Sequence, residues 1–169
     1  MVDGLNGAGV GPDDFKAVFR RHPAGVAVIT AKVGDRLVGL TATSVISVSA
    51  DPPILAFSID SGSSSWPALA EAETLVINFL AARQVDLSAR FATSGIDRFA
   101  GGGWSLLPTG EPVLDGSPAW LRGTIIQRTP VGHSFLVAVQ VLESGRPAAG
   151  APLVYHDRAY HAVGEHTAI

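Results

Sequence analysis

The sequence predicts a mainly β protein, a closed or split β-barrel with a few short peripheral helices. Two observations carry this. Runs with strand character recur along most of the chain, interrupted by Gly, Pro, Asp and Ser turns. Helical segments are few and short, and they do not alternate with the strands as a parallel α/β sheet requires. A length of 169 residues fits one domain with a sizeable core. That domain is expected over 12–169, behind a Gly-rich, aperiodic tail over 1–11 that reads as mobile.

Each element has its own signal. Residues 12–21 read as a short helix with Phe15, Val18 and Phe19 on one face. Residues 24–32 and 37–48 read as two strands joined at Gly34-Asp35, the second of them continuous. A third strand follows at 54–59. A helix at 67–73 opens with Pro67, whose missing amide proton is no loss in a first turn. A fourth strand is expected at 74–80. A helix at 84–92 places Leu87 and Phe91 at i,i+4 spacing. The segment 92–117 reads as loop. Three further strand signals lie at 120–128, 134–143 and 153–162, the last broken near Asp157-Arg158.

Composition excludes several functions. Hydrophobic content of 47% against 16% charged is high for a solitary soluble domain, so part of the apolar surface is expected in a subunit interface. A net charge of -3 with no basic block argues against nucleic-acid binding. No apolar run is long enough to span a bilayer, and the start lacks the pattern of a secretory signal, so a cytoplasmic location is expected. Without cysteine there are no disulfides, thiol nucleophiles or cysteine-ligated metals. His156, His161 and His166 recur every five residues, which fits neither a helical ligand pair nor one face of a continuous strand. A turn at Asp157-Arg158 can bring two of them together, and no metal site is assigned. Gly101-Gly102-Gly103-Trp104 has no strand before it and no helix after it, so it is neither a dinucleotide fingerprint nor a P-loop. It reads as a lid or dimer-edge loop with Trp104 packed into a groove. Ser61-Gly62-Ser63 lacks the pattern of a hydrolase nucleophile elbow, and the carboxylates are scattered rather than paired.

The residues most suggestive of a ligand lie between Gly39 and Pro53. Thr41, Thr43, Ser47 and Ser49 share one parity; Leu40, Ala42 and Ser44 take the other. A strand built only for packing would carry branched apolar side chains on its buried face. Short hydroxyls and small side chains instead let a flat ligand approach the backbone. An ordinary amphipathic strand with a Ser/Thr solvent face accounts for the alternation equally well. After the strand at 54–59 comes Asp60-Ser61-Gly62-Ser63-Ser64-Ser65-Trp66-Pro67, just ahead of a helix. Free amides, hydroxyls and a favourable dipole suit an anion there; a Ser/Gly loop with a simple cap is the commoner use of such a sequence.

Taken in order, these motifs resemble the flavin reductase family, small FMN-binding split-barrel proteins that reduce free flavin with a nicotinamide cofactor. The resemblance rests on Gly25-Val26-Ala27-Val28-Ile29-Thr30, Gly39-Leu40-Thr41-Ala42-Thr43-Ser44 and Ser47-Val48-Ser49-Ala50-Asp51-Pro52-Pro53. It continues through Leu75 to Leu80, Leu87-Ser88-Ala89-Arg90-Phe91-Ala92, Gly132-His133, Pro152-Leu153-Val154-Tyr155 and Tyr160, covering nearly everything from Phe15 to Val163. One departure stands out: Val131-Gly132-His133 replaces the Gly-Asp-His of many relatives, so the histidine is kept without its acidic neighbour.

The resemblance implies a flavin reductase that uses NADH or NADPH to reduce FMN or FAD, a homodimer, and a partner monooxygenase that receives the reduced flavin. Thr41, Ala42, Thr43 and Ser44 would hold the ring, with Ser47 beneath it and Phe91 packed nearby. Ser61, Ser63, Ser64 and Ser65 would grip the ribityl and phosphate end, with Trp66 over the edge and Arg90 or Arg98 balancing the charge. His133 would lie where the nicotinamide stacks. The lack of paired carboxylates agrees with this, because in hydride transfer the cofactors carry the reactivity. Two alternatives share the same residues: a flavin carrier or redox sensor without reductase activity, and a split-barrel flavoenzyme acting directly on an organic substrate. The missing acidic neighbour of His133 leans toward these alternatives.

Overall fold

The computed structural model describes residues 9–169; the expected tail, as far as residue 8, lies outside the described residues. The first element among the described residues is helix α1 (Pro12–Phe19), started by a proline in its first turn and two acidic residues that suit the helix dipole. No residue of α1 is buried: Phe15 is 53% and Phe19 56% exposed. Two strands follow the short β1 (Ala24–Gly25): β2 (Ala27–Val33) and β3 (Arg36–Ala42), turned by Gly34 at φ +58°. Next come β4 (Ile46–Ala50), β5 (Pro53–Asp60), helix α2 (Trp66–Glu71), β6 (Thr74–Phe79) and helix α3 (Val85–Ala92). The second half holds the short β7 (Trp104–Leu106) and β8 (Pro112–Leu114), then β9 (Ala119–Val131), β10 (Ser134–Gly145), β11 (Leu153–His156) and β12 (Ala159–Ala162).

Seven strands form one antiparallel sheet in the order β3-β2-β6-β9-β10-β5-β4. Its first and last members are consecutive in the chain, so Thr43–Val45 carries the polypeptide from one edge of the sheet to the other. This corrects the expectation of a single strand over 37–48. At the crossing, the Ser44 hydroxyl donates to the Ser58 carbonyl at 3.1 Å and accepts from the Ser58 amide at 3.0 Å. A short hydroxyl side chain that satisfies a neighbouring backbone competes with the ladder and ends it. The shared parity of Thr41, Thr43, Ser47 and Ser49 therefore does not mark one strand face.

Strands β2 and β6 are buried on both faces, which explains their near-continuous apolar runs. One face contributes Ala27, Ile29, Leu75 and Ile77 to the barrel interior with Leu55, Phe57, Val137 and Val139. The other face, with Val26, Val28 and Leu80, packs against Phe91, Phe99, Leu114 and Leu153. Buried Asn78 donates to the Val28 carbonyl and the Thr30 hydroxyl and accepts from the Leu114 amide, tying β8 to the barrel with its amide group satisfied. The β7–β8 hairpin lies inside 92–117, which the sequence read as loop. Its strands are three residues long, too short for periodicity to reveal. Buried Glu111 beside it pairs with Arg122 at 2.9 Å and accepts from Thr74 and Thr109. Burial alone would raise its pKa; those partners instead hold it down at about 2.

Candidate active site

The site is built on the edge of β3. Gly39 must lack a side chain: a Cβ there would lie 2.6 Å from the Phe91 ring and 3.2 Å from the Ile29 carbonyl. Its carbonyl points out of the sheet, where it accepts from Arg98 Nη1 at 2.7 Å and from the Ser65 hydroxyl at 3.3 Å. By the alternation of an antiparallel ladder, the main-chain amide and carbonyl of Thr41 face the same way. Edge groups of this kind offer donors and acceptors to a flat heteroaromatic ring. The Thr41 hydroxyl itself turns to α3 and donates to the Ser88 carbonyl at 2.6 Å; the Ser88 hydroxyl in turn meets Tyr160 at 2.9 Å.

Two separate hollows border the two ends of this stretch. Thr43, Ser44 and Ser58 lie on the wall of a hollow of about 620 Å³. At the other end, Gly39, Ser64, Ser65 and Arg98 lie on a smaller hollow of about 280 Å³. Arg98 donates to the Thr93 carbonyl and the Ser65 hydroxyl as well as to Gly39, and its partial burial lowers its pKa. Arg90, the other candidate counter-charge, is turned to the carbonyls of Ala100 and Gly102 and braces the glycine loop. Trp104 of that loop donates to the Phe99 carbonyl and packs edge-on against its ring.

The serine loop joins the far hairpin. Ser61 donates from both its amide and its hydroxyl to the His133 carbonyl. His133 follows Gly132 in the two-residue turn between β9 and β10, and Gly132 takes φ +56°, which suits glycine at the first turn position. The site thus contains an exposed imidazole and no carboxylate beside it in the turn. Ser58 and Ser61 are three residues apart at the end of β5, so the Ser44 contact and the His133 contact are separated by about 10 Å at the usual strand rise.

Thr43 and Ser44 line the larger hollow and Ser64 the smaller one; Ser61 is bonded to His133, the Ser63 hydroxyl accepts from the Ser65 amide, and Ala42 is buried. Ser65 is 2% exposed on the wall of the smaller hollow, its hydroxyl engaged by Gly39 and Arg98. Phe91 is 0% exposed and packs behind Gly39, near the strand as expected. Trp66 stacks on Phe135 at 3.9 Å, half-buried at the start of α2. Ser47 is exposed on β4 and lines neither hollow. Sequence reasoning missed α1 and the β11–β12 turn as walls of the larger hollow; both are far from Thr43 in the chain, and only folding joins them. His156 and His161 approach to 5.8 Å, and no group of three metal-ligating side chains occurs among the described residues.

Comparison with known proteins places the chain in a family. The profile of the family described as flavin reductase like domain matches residues 19–164. The chain belongs to the flavin reductase family. It is 46% identical over 158 residues to an NADH:FMN oxidoreductase of Rhodococcus qingshengii, spanning 90% of this chain and 82% of that one. To HsaB, the reductase subunit of a flavin-dependent monooxygenase of Mycobacterium tuberculosis, it is 31% identical over 155 residues, spanning 90% and 83%. The crystal structure of a flavin reductase domain protein from Arthrobacter sp. FB24 matches with a TM-score of 0.87 at 39% identity, covering 91% of this chain and 96% of that one. The flavin reductase fold is therefore shared along nearly the whole chain.

Proposed function

We propose that the protein is an NAD(P)H-dependent flavin reductase that passes a hydride from a reduced nicotinamide to FMN or FAD and supplies the reduced flavin to a partner monooxygenase. The open edge of β3, flanked by the serine loop and the His133 turn in a chain of this family, carries the reading. Bound flavin supplies the electron-accepting chemistry. The chain's task is to hold and orient. Main-chain groups at Thr41–Ser44 and the Thr43 hydroxyl meet the ring edge. Ser61, Ser63 and Ser64 serve the ribityl and phosphate end, and Arg98 balances the phosphate charge. Trp66 shields the far edge. His133 orders the nicotinamide over the ring, and the accompanying proton comes from solvent.

The exposed apolar side chains of Phe15, Val18 and Phe19 on α1 and of Ile46 and Val48 on β4 support a homodimer, since contiguous apolar surface of this kind favours an interface. A cytoplasmic location suits a consumer of reduced nicotinamide, and no helix among the described residues is long and apolar enough to cross a membrane. The second reading, a passive flavin binder, is favoured by one observation: Gly132 places no carboxylate beside His133. Anaerobic mixing of the protein with FMN and NADH separates the two. Loss of the oxidised flavin absorbance at a catalysed rate is expected; binding of FMN without bleaching would overturn the reductase.

A further inference from the structure

The hairpin of β11 and β12 carries two tyrosines, Tyr155 and Tyr160, to which the reading above gives no task. They stand directly opposite each other in the ladder, with their rings edge-on at 5.2 Å. Tyr160 is 36% exposed, yet its phenol oxygen lies 2.9 Å from the hydroxyl of Ser88, a residue with no exposure at all. A phenol at the surface thus reaches inward to a buried hydroxyl on α3. Without it, that hydroxyl would have to turn back on its own helix for a partner.

The place of α3 gives that bond its meaning. The helix supports β3 at two points. Gly39 lies against the Phe91 ring with no room for a side chain between them, and Thr41 donates its hydroxyl to the Ser88 carbonyl at 2.6 Å. Gly39 and Thr41 are alternate residues of the strand; Ser88 and Phe91, three apart, are neighbours on the helix surface. Phe91 is held in turn by Phe99, edge-on at 5.2 Å, and by Leu114 and Leu153. Ser88 is held by Tyr160. The hairpin that supplies Tyr160 is fastened to the barrel without help from β3: Leu153 donates its amide to the Leu80 carbonyl at 2.9 Å and accepts from the Val26 amide at 3.0 Å. Tyr160 therefore ties α3, and through Thr41 the β3 edge, to the frame of the barrel.

We propose that Tyr160 is a positioning residue for the flavin ring. Its bond to Ser88 sets the place of α3, and the bond from Thr41 to Ser88 passes that placement to the main-chain amide and carbonyl of Thr41 at the ring edge. Tyr160 itself touches no ligand. The proposal rests on the assignment of the flavin ring to the β3 edge, and it holds for a flavin binder as well as for a reductase.

The test titrates FMN and riboflavin into the full-length protein by flavin fluorescence, beside the absorption spectrum of the bound flavin at saturation and a melting curve. Tyr160→Phe should weaken both flavins alike, by about fivefold, the effect of one hydrogen bond between uncharged groups, because the ring and not the phosphate is displaced. The visible bands of the bound flavin should shift, since they respond to hydrogen bonds at the ring edge. Thr41→Val should cause a similar loss, and the double variant should be no weaker than either single variant, as expected when two residues act in one line. Thr41→Ser keeps the hydroxyl and should stay within twofold of wild type. Should Tyr160→Phe fail to fold, Ser88→Ala removes the same bond from its other side and takes its place in the comparison. A lower melting temperature with unchanged affinity and spectrum would make the bond structural only and overturn the proposal, as would losses that multiply in the double variant. Wild-type protein that binds neither flavin would remove the ring assignment and the proposal with it. Wild-type protein that binds FMN but does not bleach it with NADH would remove only the reductase reading.

Discussion

Ser61 grips His133 twice, its amide and its hydroxyl both 2.9 Å from the His133 carbonyl oxygen. The loop assigned to the flavin tail and the turn assigned to the nicotinamide are therefore tied directly to each other. Ser61→Ala removes one bond and keeps the other. A neutral hydrogen bond contributes about 1 kcal/mol, so hydride transfer should slow by about fivefold. Stopped-flow bleaching of bound FMN reads this directly. A rate equal to wild type would mean that the hydroxyl does not position His133.

Removing the imidazole is a stronger test. His133→Ala should slow hydride transfer by roughly 10- to 100-fold and weaken the nicotinamide, with FMN affinity nearly intact, the loss expected for stacking plus one hydrogen bond. His133 is exposed and the bond from Ser61 goes to its backbone, so the melting temperature should barely move. A destabilised variant with wild-type hydride transfer would remove the histidine from the reaction.

The phosphate end is checked with FMN against riboflavin, which lacks the phosphate. Arg98→Gln should weaken FMN by more than tenfold and riboflavin much less, because a charge-assisted bond is worth about 1.5–3 kcal/mol. Ser64→Ala should act in the same direction more weakly. Ser65→Ala should behave differently: its hydroxyl joins Arg98 to Gly39, so its loss should lower stability as well as FMN affinity. Equal losses for both flavins at Arg98 and Ser64 would place the phosphate elsewhere.

Acid stability should report on Glu111. Its pKa is about 2 in the folded protein against an ordinary value of 4.5, so the stabilisation is fully present above about pH 4.5 and lost as pH falls through about 2. The difference corresponds to about 3 kcal/mol. Denaturant melts between pH 5 and pH 2 should show that slope, and Glu111→Gln should flatten it while lowering stability at neutral pH, since Arg122 is left without its partner. A Glu111→Gln protein with the wild-type pH profile would show that the slope arises elsewhere.

Much of this molecule was legible in the sequence because its signals are local. The apolar runs of β2, β5 and β6, the Gly34 turn and the helix at 85–92 follow from propensity and spacing. What escaped depends on contacts across the fold. Ser44 ends its strand by bonding Ser58, fourteen residues away, and no window of sequence contains that bond as a pattern. That Ser65 and Phe91 both close on Gly39 is again a contact between distant parts of the chain. The choice between Arg90 and Arg98 is likewise a matter of which loop each one reaches.

The crossing at Thr43–Val45 has a bearing on release. Around most of the barrel, neighbouring strands are zipped by backbone ladders, and parting them amounts to unfolding. Between β3 and β5 there is no ladder: the Ser44 hydroxyl, just past β3, bonds Ser58 of β5, while Ser65 at the start of α2 and Arg98 in the loop after α3 hold the Gly39 carbonyl of β3. A seam fastened in this way can part locally while the rest of the protein stays intact. A protein that must surrender its reduced product to another enzyme gains from such a door, because letting go then requires breaking a few side-chain bonds rather than melting a sheet.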